Sequence, residues 1–275
     1  MTLREIFLQN PGFTFDRIFY QRDFTRGGPF EDHYLSLRQK EMRIYPDEVV
    51  KALPVVPKNH PLKYEWRVRS KSLERLTAHL RKDSDIKILD VGCGNGWLSH
   101  HLSSVSRSEV IGVDINEIEL IQGARVFGET KNLFFVYMDI LAGKMPYSHF
   151  DYIILSSSIQ YFVNLPLLLQ ELRSLLRPEG EIHILDSPLY HPPEVPSAKQ
   201  RSVQYFTDAG YPVMKEYYHH HTWEMLNYFQ PKIKYNPGLF SNRFLNKLSP
   251  SSPFPWVVIN ASGSQEGLSQ KDSAY

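Results

Sequence analysis

Lys87-Ile88-Leu89-Asp90-Val91-Gly92-Cys93-Gly94-Asn95-Gly96-Trp97 decides the fold. Ile88 to Val91 reads as a short buried strand. Gly92, Gly94 and Gly96 follow at alternate positions, and Leu98 and Leu102 then open a helical period. Strand, glycine turn and helix begin a βαβ unit. In an open parallel sheet, ligands bind beyond the carboxyl ends of the strands, where such turns lie. Glycine serves there because it reaches positive φ without strain and lets a ligand approach the backbone.

Downstream, the pattern repeats. Glu109 to Val113 is a second strand ending in Asp114, and Asn116 caps a helix carrying Ile118, Leu120, Ile121 and Val126. Leu133 to Tyr137 is a third strand, followed by Met138-Asp139-Ile140. Phe150 to Leu155 is a fourth, followed by Ser156-Ser157-Ser158-Ile159-Gln160-Tyr161. Asn164 caps a leucine-rich helix that Pro178-Glu179-Gly180 stops, and Glu181 to Leu185 is a fifth strand. Alternating strands and helices predict a parallel sheet covered on both faces. Residues 186–230 break the pattern, with Pro188, Pro192, Pro193 and Pro196, a helix near Ser197 to Ala209, the run His219-His220-His221 and a further helix from about Thr222. Lys232 to Tyr235 and Trp256 to Asn260 read as two last short strands. Residues 261–275, rich in Ser, Gly and Gln, read as a disordered tail.

Upstream, residues 1–82 read as a cap or irregular arm. Phe13, Phe15, Phe19, Tyr20 and Phe24 are interleaved with Arg17 and Arg22. Aromatics among basic residues can bind single-stranded nucleic acid, but intervening acids weaken that reading. From Tyr64 to Leu80, Trp66, Val68, Leu73, Leu76 and Leu80 fit one helix face.

Composition narrows the classes. The 275 residues are 42% hydrophobic and 22% charged, with a net charge of +1. That is globular composition with no strong field toward nucleic acid or an anionic membrane. A single cysteine, Cys93, rules out an internal disulfide framework and a cysteine-rich zinc site, and no other residue set marks a metal. The first residues lack the apolar run of a signal peptide, and no stretch approaches the ~18 apolar residues of a membrane helix, so a cytoplasmic protein is expected.

A dinucleotide fingerprint would need a third glycine at position 97, which is Trp97. The pattern Asp90-x-Gly92-x-Gly94-x-Gly96 instead resembles motif I of the class I S-adenosylmethionine-dependent methyltransferases. The resemblance continues through Asp114 at the ribose position, Asp139 and Ile140 at the adenine position, Phe150 to Ile154, and Leu172 to Leu185, where Glu179 replaces a common glycine. It implies an α/β three-layer Rossmann-like sandwich over 83–260, with a seven-stranded, mostly parallel sheet whose last strand is antiparallel. It also implies S-adenosyl-L-methionine as cofactor, S-adenosyl-L-homocysteine as product, and cofactor contacts from Asp90, Gly92, Cys93, Gly94, Asn95, Gly96, Asp114, Ile115, Asp139, Ile140 and Ser156. Arg67, on the helix before the motif, is the expected partner of the methionine carboxylate.

The acceptor is less legible. Ser156-Ser157-Ser158-Ile159 stands where amine-directed relatives carry Asn/Asp-Pro-Pro-Tyr, so a small molecule, a sugar or biosynthetic intermediate, is expected. Gln160, Tyr161 and Tyr190 are candidate acceptor contacts. The base is expected to be one of His191, His219, His220 and His221, with 186–230 as a lid. Asp186 and Ser187 also leave the fifth strand on the ligand side. Methylation of RNA or protein, a nicotinamide oxidoreductase and a non-catalytic partner protein remain as alternatives.

Overall fold

The computed structural model describes residues 2–24, 28–80, 85–105, 107–142, 145, 149–240, 242 and 250–262. Residues 81–84, at the junction of the expected cap and the expected domain, and nearly all of the expected tail, 263–275, lie outside the described residues.

The glycine-turn unit is β3 (Ile86–Val91) followed by α5 (Trp97–Ser103). The other central strands are β4 (Ser108–Asp114), β5 (Leu133–Tyr137), β6 (Phe150–Ser156) and β7 (Leu176–Leu185). They are buried along almost their whole length, as a doubly covered parallel sheet demands. Alternate residues go to opposite faces. Leu89 and Val91 join one core with the leucines of α7 (Leu165–Leu175). Ile86 and Ile88 join the other, with Trp66 and Leu76 of α4 (Lys63–His79), Leu98 of α5 and Leu120 of α6 (Glu117–Val126). The result is the three layers expected.

The sheet has nine strands, not seven. Its order is β1-β2-β5-β4-β3-β6-β7-β9-β8, with β8 at Lys232–Tyr235 and β9 at Trp256–Asn260. The last strand, β9, is antiparallel to both its neighbours, as expected. The two extra strands come from the N-terminal segment, β1 (Phe13–Asp16) and β2 (Ile18–Gln21). β2 pairs in parallel with β5, Phe19 opposite Val136. Apolar area explains why this segment joins the sheet. Phe7 of α1 (Leu3–Gln9) and Phe19 each stack edge-on against Phe134, at 5.5 and 5.3 Å between ring centroids. The interleaved aromatics therefore include an added sheet edge with its packing.

Two further differences are local. β7 begins at Leu176, so Pro178-Glu179-Gly180 lies within an irregular strand start whose register shifts between Phe150 and Tyr152. The helix expected after Thr222 is a 3-10 segment, Trp223–Phe229. Strand order reverses direction between β3 and β6, and a ligand crevice opens at such a switch point. α2 (Pro29–Lys40) and α3 (Asp47–Ala52) precede α4, and α8 (Val195–Asp208) lies in the expected lid.

Candidate functional site

The glycine turn is held by hydrogen bonds to the end of β4. Gly92 and Cys93 N–H donate to the Val113 carbonyl at 2.8 and 3.2 Å. Gly94 N–H donates to Asp114 Oδ2 at 2.8 Å, and Asn116 N–H to Asp114 Oδ1 at 2.9 Å. One carboxylate thus fixes two loops and keeps lone pairs for a ligand. Asp90 is buried and accepts from Ser99 Oγ at 2.6 Å. Across the switch point, Ser157 takes a left-handed φ of 56°, a strained conformation for serine.

Two cavities flank the turn. The smaller, about 90 Å³, is lined by Asp90, Gly92, Cys93, Gly94, Asn95, Ser156, Ser157 and Trp66 among others. The larger, about 430 Å³, is lined by Asp114, Ile115, Asn116, Asp139, Ile140, Ser158 and Tyr161 among others. Gly92, Ser157 and Tyr34 line both. Ten of the expected cofactor residues therefore converge on one bipartite cleft, and Gly96 supports its turn from beneath.

The cleft concentrates buried acid. Burial pushes the Asp90 carboxyl up to about 7, with the Asp114 charge adding to it against the Ser99 hydrogen bond. Burial and then Asp114 push Glu119 up to about 7. Burial also raises Asp114, although three backbone N–H groups oppose the shift. Such groups bind more protons in the folded than in the unfolded chain between their ordinary pH range and about 7. Stability therefore falls as pH rises through that window. We expect the melting temperature of ligand-free protein to drop between pH 5 and pH 7.5, and Glu119→Gln to flatten that slope; an unchanged slope by scanning calorimetry would contradict it.

The arginines lie where the sequence did not indicate. Arg67 is exposed and lines neither cavity. Two residues on, α4 turns Arg69 into the smaller cavity, with its guanidinium over the Trp66 ring and Nε 3.0 Å from Glu65 Oε1. Arg43 makes a two-pronged contact with the same glutamate, through Nη1 and Nη2. Burial raises Glu65, but Arg43 and Arg69 outweigh it and hold the carboxyl at about 2. Arg38 reaches the cleft from α2, donating to the Tyr34 hydroxyl at 2.8 Å. Tyr34 and Arg38 carry no sequence signal: they sit on a helix of weak amphipathic pattern, far upstream of the turn.

A third cavity, about 290 Å³, opens beside the first two and is walled by α2, Tyr161, Tyr190, Tyr218 and α8. Tyr34 lines all three, and Tyr161 joins the second to the third. The expected contacts Tyr161 and Tyr190 thus meet there. Gln160 does not. It is buried, with its side-chain amide donating to the Ser157 carbonyl at 2.7 Å. The histidines separate. His191 is exposed and lines none of these cavities. His221 is buried against the Ile159 carbonyl at 2.9 Å. His219 lines a neighbouring cavity with His220. His220 alone connects to the tyrosine cavity, through Ser202, whose Oγ lies 2.9 Å from its Nε2. Asp186 is bonded to Ser72 Oγ at 2.7 Å, and Ser187 is buried on the Leu185 carbonyl.

One cluster with metal-ligand chemistry lies elsewhere. His79, Glu181 and His183 gather at the opposite end of β7. The Trp256 indole N–H, which can only donate, points at His183 Nδ1 at 3.1 Å. That fixes the His183 proton on Nε2, facing Glu181 Oε2 at 3.2 Å. That proton speaks against a metal at this nitrogen, which would need Nε2 bare.

Known proteins give the same picture. A family profile described as "Methyltransferase domain" matches residues 82–227. Over 109 residues the chain is 31% identical to the malonyl-(acyl-carrier protein) O-methyltransferase of Erwinia pyrifoliae, and the aligned stretch spans 40% of each protein. Its fold matches geranyl diphosphate C-methyltransferase from Streptomyces coelicolor A3(2), solved with Mg2+, geranyl diphosphate and S-adenosyl-L-homocysteine. There the TM-score is 0.54 at 17% identity, covering 85% of this chain and 98% of the other. A candidate S-adenosyl-L-methionine-dependent methyltransferase from Methanococcus maripaludis matches with a TM-score of 0.52 at 12% identity, over 89% and 99% of the two chains. With a match over more than half its length, a glycine turn braced on Asp114 and a bipartite cleft at the switch point, this chain belongs to the methyltransferase-domain family.

Proposed function

We propose that this chain transfers a methyl group from S-adenosylmethionine to an oxygen or nitrogen of a small molecule, a sugar or biosynthetic intermediate, held in the tyrosine-walled cavity. The observation that carries the reading is Asp114, fixed by two turn N–H groups at the mouth of the larger cavity. When bound, the cofactor supplies an electrophilic methyl carbon on a sulfonium, and its carbon–sulfur electron pair returns to sulfur as the acceptor's lone pair bonds to carbon.

The protein's part is to bind, align and exclude water. Asp114 accepts from the ribose hydroxyls, and Ile115, Asp139 and Ile140 hold the adenine. Asp90, Asn95 and Ser156 line the methionine end. Arg69, rather than Arg67, pairs with the methionine carboxylate. Tyr34, common to the three cavities, marks where cofactor and acceptor meet. Residues 186–230 act as the acceptor lid, and Gln160 supports Tyr161 from behind. Ser202 passes the acceptor proton to His220 in the tautomer whose Nε2 is bare. An oxygen acceptor is supported by the Erwinia pyrifoliae relative, an O-methyltransferase.

A small acceptor is favoured over RNA because three of the five Lys and Arg side chains of α4 already have partners, which breaks up its basic face. Lys71 pairs with Glu74 at 2.6 Å, Arg69 with Glu65, and Arg75 lies 4.0 Å over the Tyr235 ring. Calorimetric titration with S-adenosylmethionine tests the reading. Binding should be micromolar or tighter, and Arg69→Ala should weaken it about tenfold, the loss of one charge-assisted contact. Arg67→Ala should leave it unchanged. A larger loss at Arg67 than at Arg69 would overturn the assignment, and no binding by the unaltered chain would overturn the function.

A further inference from the structure

We propose that, of the two acceptor kinds named above, the tyrosine-walled cavity takes a biosynthetic intermediate rather than a sugar, a flat aromatic one bearing an anionic group; this rests on the methyltransferase reading above.

The walls are rings set at steep angles. Tyr161 and Tyr218 lie 6.1 Å apart at 89°, and Phe206 meets Tyr218 at 5.6 Å and 63°. Rings so disposed offer both faces and edges, which suits an aromatic guest. The polar groups are phenol and serine hydroxyls, which donate or accept, two guanidiniums, which only donate, and a single carboxylate. The hydroxyls of Tyr161, Tyr190 and Tyr218 have no hydrogen-bond partner among the described residues. Burial pushes the Tyr190 and Tyr218 phenols up, so both keep their protons at neutral pH.

A sugar is held best by carboxylates or amides that accept from its neighbouring hydroxyls. The cavity's one lining carboxylate is Glu41, and it is committed. Glu41 accepts from the Tyr205 hydroxyl, lies 3.0 Å from Arg43 Nε and lies 3.5 Å from Arg38 Nη1. Against that neutralised acid stands Arg201 on the exposed rim of α8, whose one bond among the described residues is a 3.3 Å contact from Nη1 to Ser197 Oγ. The guest's anion therefore sits at Arg201, and its reacting hydroxyl points inward to Tyr34, where the cavities join.

The test titrates the full chain, saturated with S-adenosylhomocysteine, with three probes: 4-hydroxybenzoate, cyclohexanecarboxylate and methyl glucoside. 4-Hydroxybenzoate should bind about tenfold tighter than cyclohexanecarboxylate, which has the same charge but no ring face. Methyl glucoside should give no heat. Arg201→Gln should weaken 4-hydroxybenzoate about tenfold and leave uncharged phenol unchanged. Because Arg201 is exposed, that variant should fold normally. Glucoside binding as tight as the aromatic acid, equal affinity for the two acids, or full affinity in the Arg201 variant would each overturn the proposal. Absence of 4-hydroxybenzoate binding while S-adenosylhomocysteine binds would overturn the acceptor class and leave methyl transfer standing. Absence of S-adenosylhomocysteine binding would overturn both.

Discussion

Asp114→Ala is expected to weaken cofactor binding by roughly a hundredfold or more, from the loss of two charge-assisted hydrogen bonds to the ribose. The larger part comes from the ligand side, because in the proposed site the carboxylate accepts from both hydroxyls. A further part comes from the turn, since Gly94 and Asn116 N–H groups lose their common partner. Asp114→Asn separates the two. It retains one accepting oxygen and should recover part of the affinity. The same carboxylate predicts a pH dependence. A cationic cofactor favours ionised Asp90, Asp114 and Glu119, so binding should release protons and tighten as pH rises through about 7. Calorimetry in buffers of different ionisation enthalpy measures the release. Tight binding by Asp114→Ala would remove the principal support of the reading.

Gly96→Ala should be the most destabilising single-methyl change in the turn. A Cβ there would lie 2.4 Å from two ring atoms of Phe135, with φ at +74°. Phe135 has nowhere to go. It is buried, and Cβ atoms on Gly112 and Gly123 would also meet its ring, at 2.7 and 3.1 Å. Three glycines form the slot for one phenylalanine, and that slot seats the turn on β5. Overpacking plus the left-handed backbone should cost roughly 3 kcal/mol, lowering the melting temperature by about 10 °C. Gly28→Ala, with φ of −88° and nothing near the new methyl, is the control and should be close to neutral. Equal melting temperatures for the two variants would contradict this packing account.

The central sheet was legible because its strands are buried on both faces and read as unbroken apolar runs. Leu133 to Tyr137 needs no context to be a strand. Asp114 was legible because it closes such a run and precedes a capping Asn. The N-terminal strands were not. β2 is four residues long and joins β5, which lies far along the chain, so its burial depends on a tertiary partner that local pattern does not carry. The same cause hides Tyr34 and Arg38. Arg67 and Arg69 show a finer limit. Both precede the motif on one helix, and only the turn of that helix about its axis decides which enters the cleft. The run at 219–221 gives no sign of which histidine faces which way: His221 is spent on the Ile159 carbonyl, and His220 lies against Ser202.

The most direct measurement is a crystal structure of the full chain with S-adenosylhomocysteine. Both ribose hydroxyls are expected on Asp114, the adenine between Ile115 and Ile140, and the amino-acid carboxylate within hydrogen-bonding distance of Arg69. A ligand seated away from Asp114, with the glycine turn unoccupied, would contradict that placement.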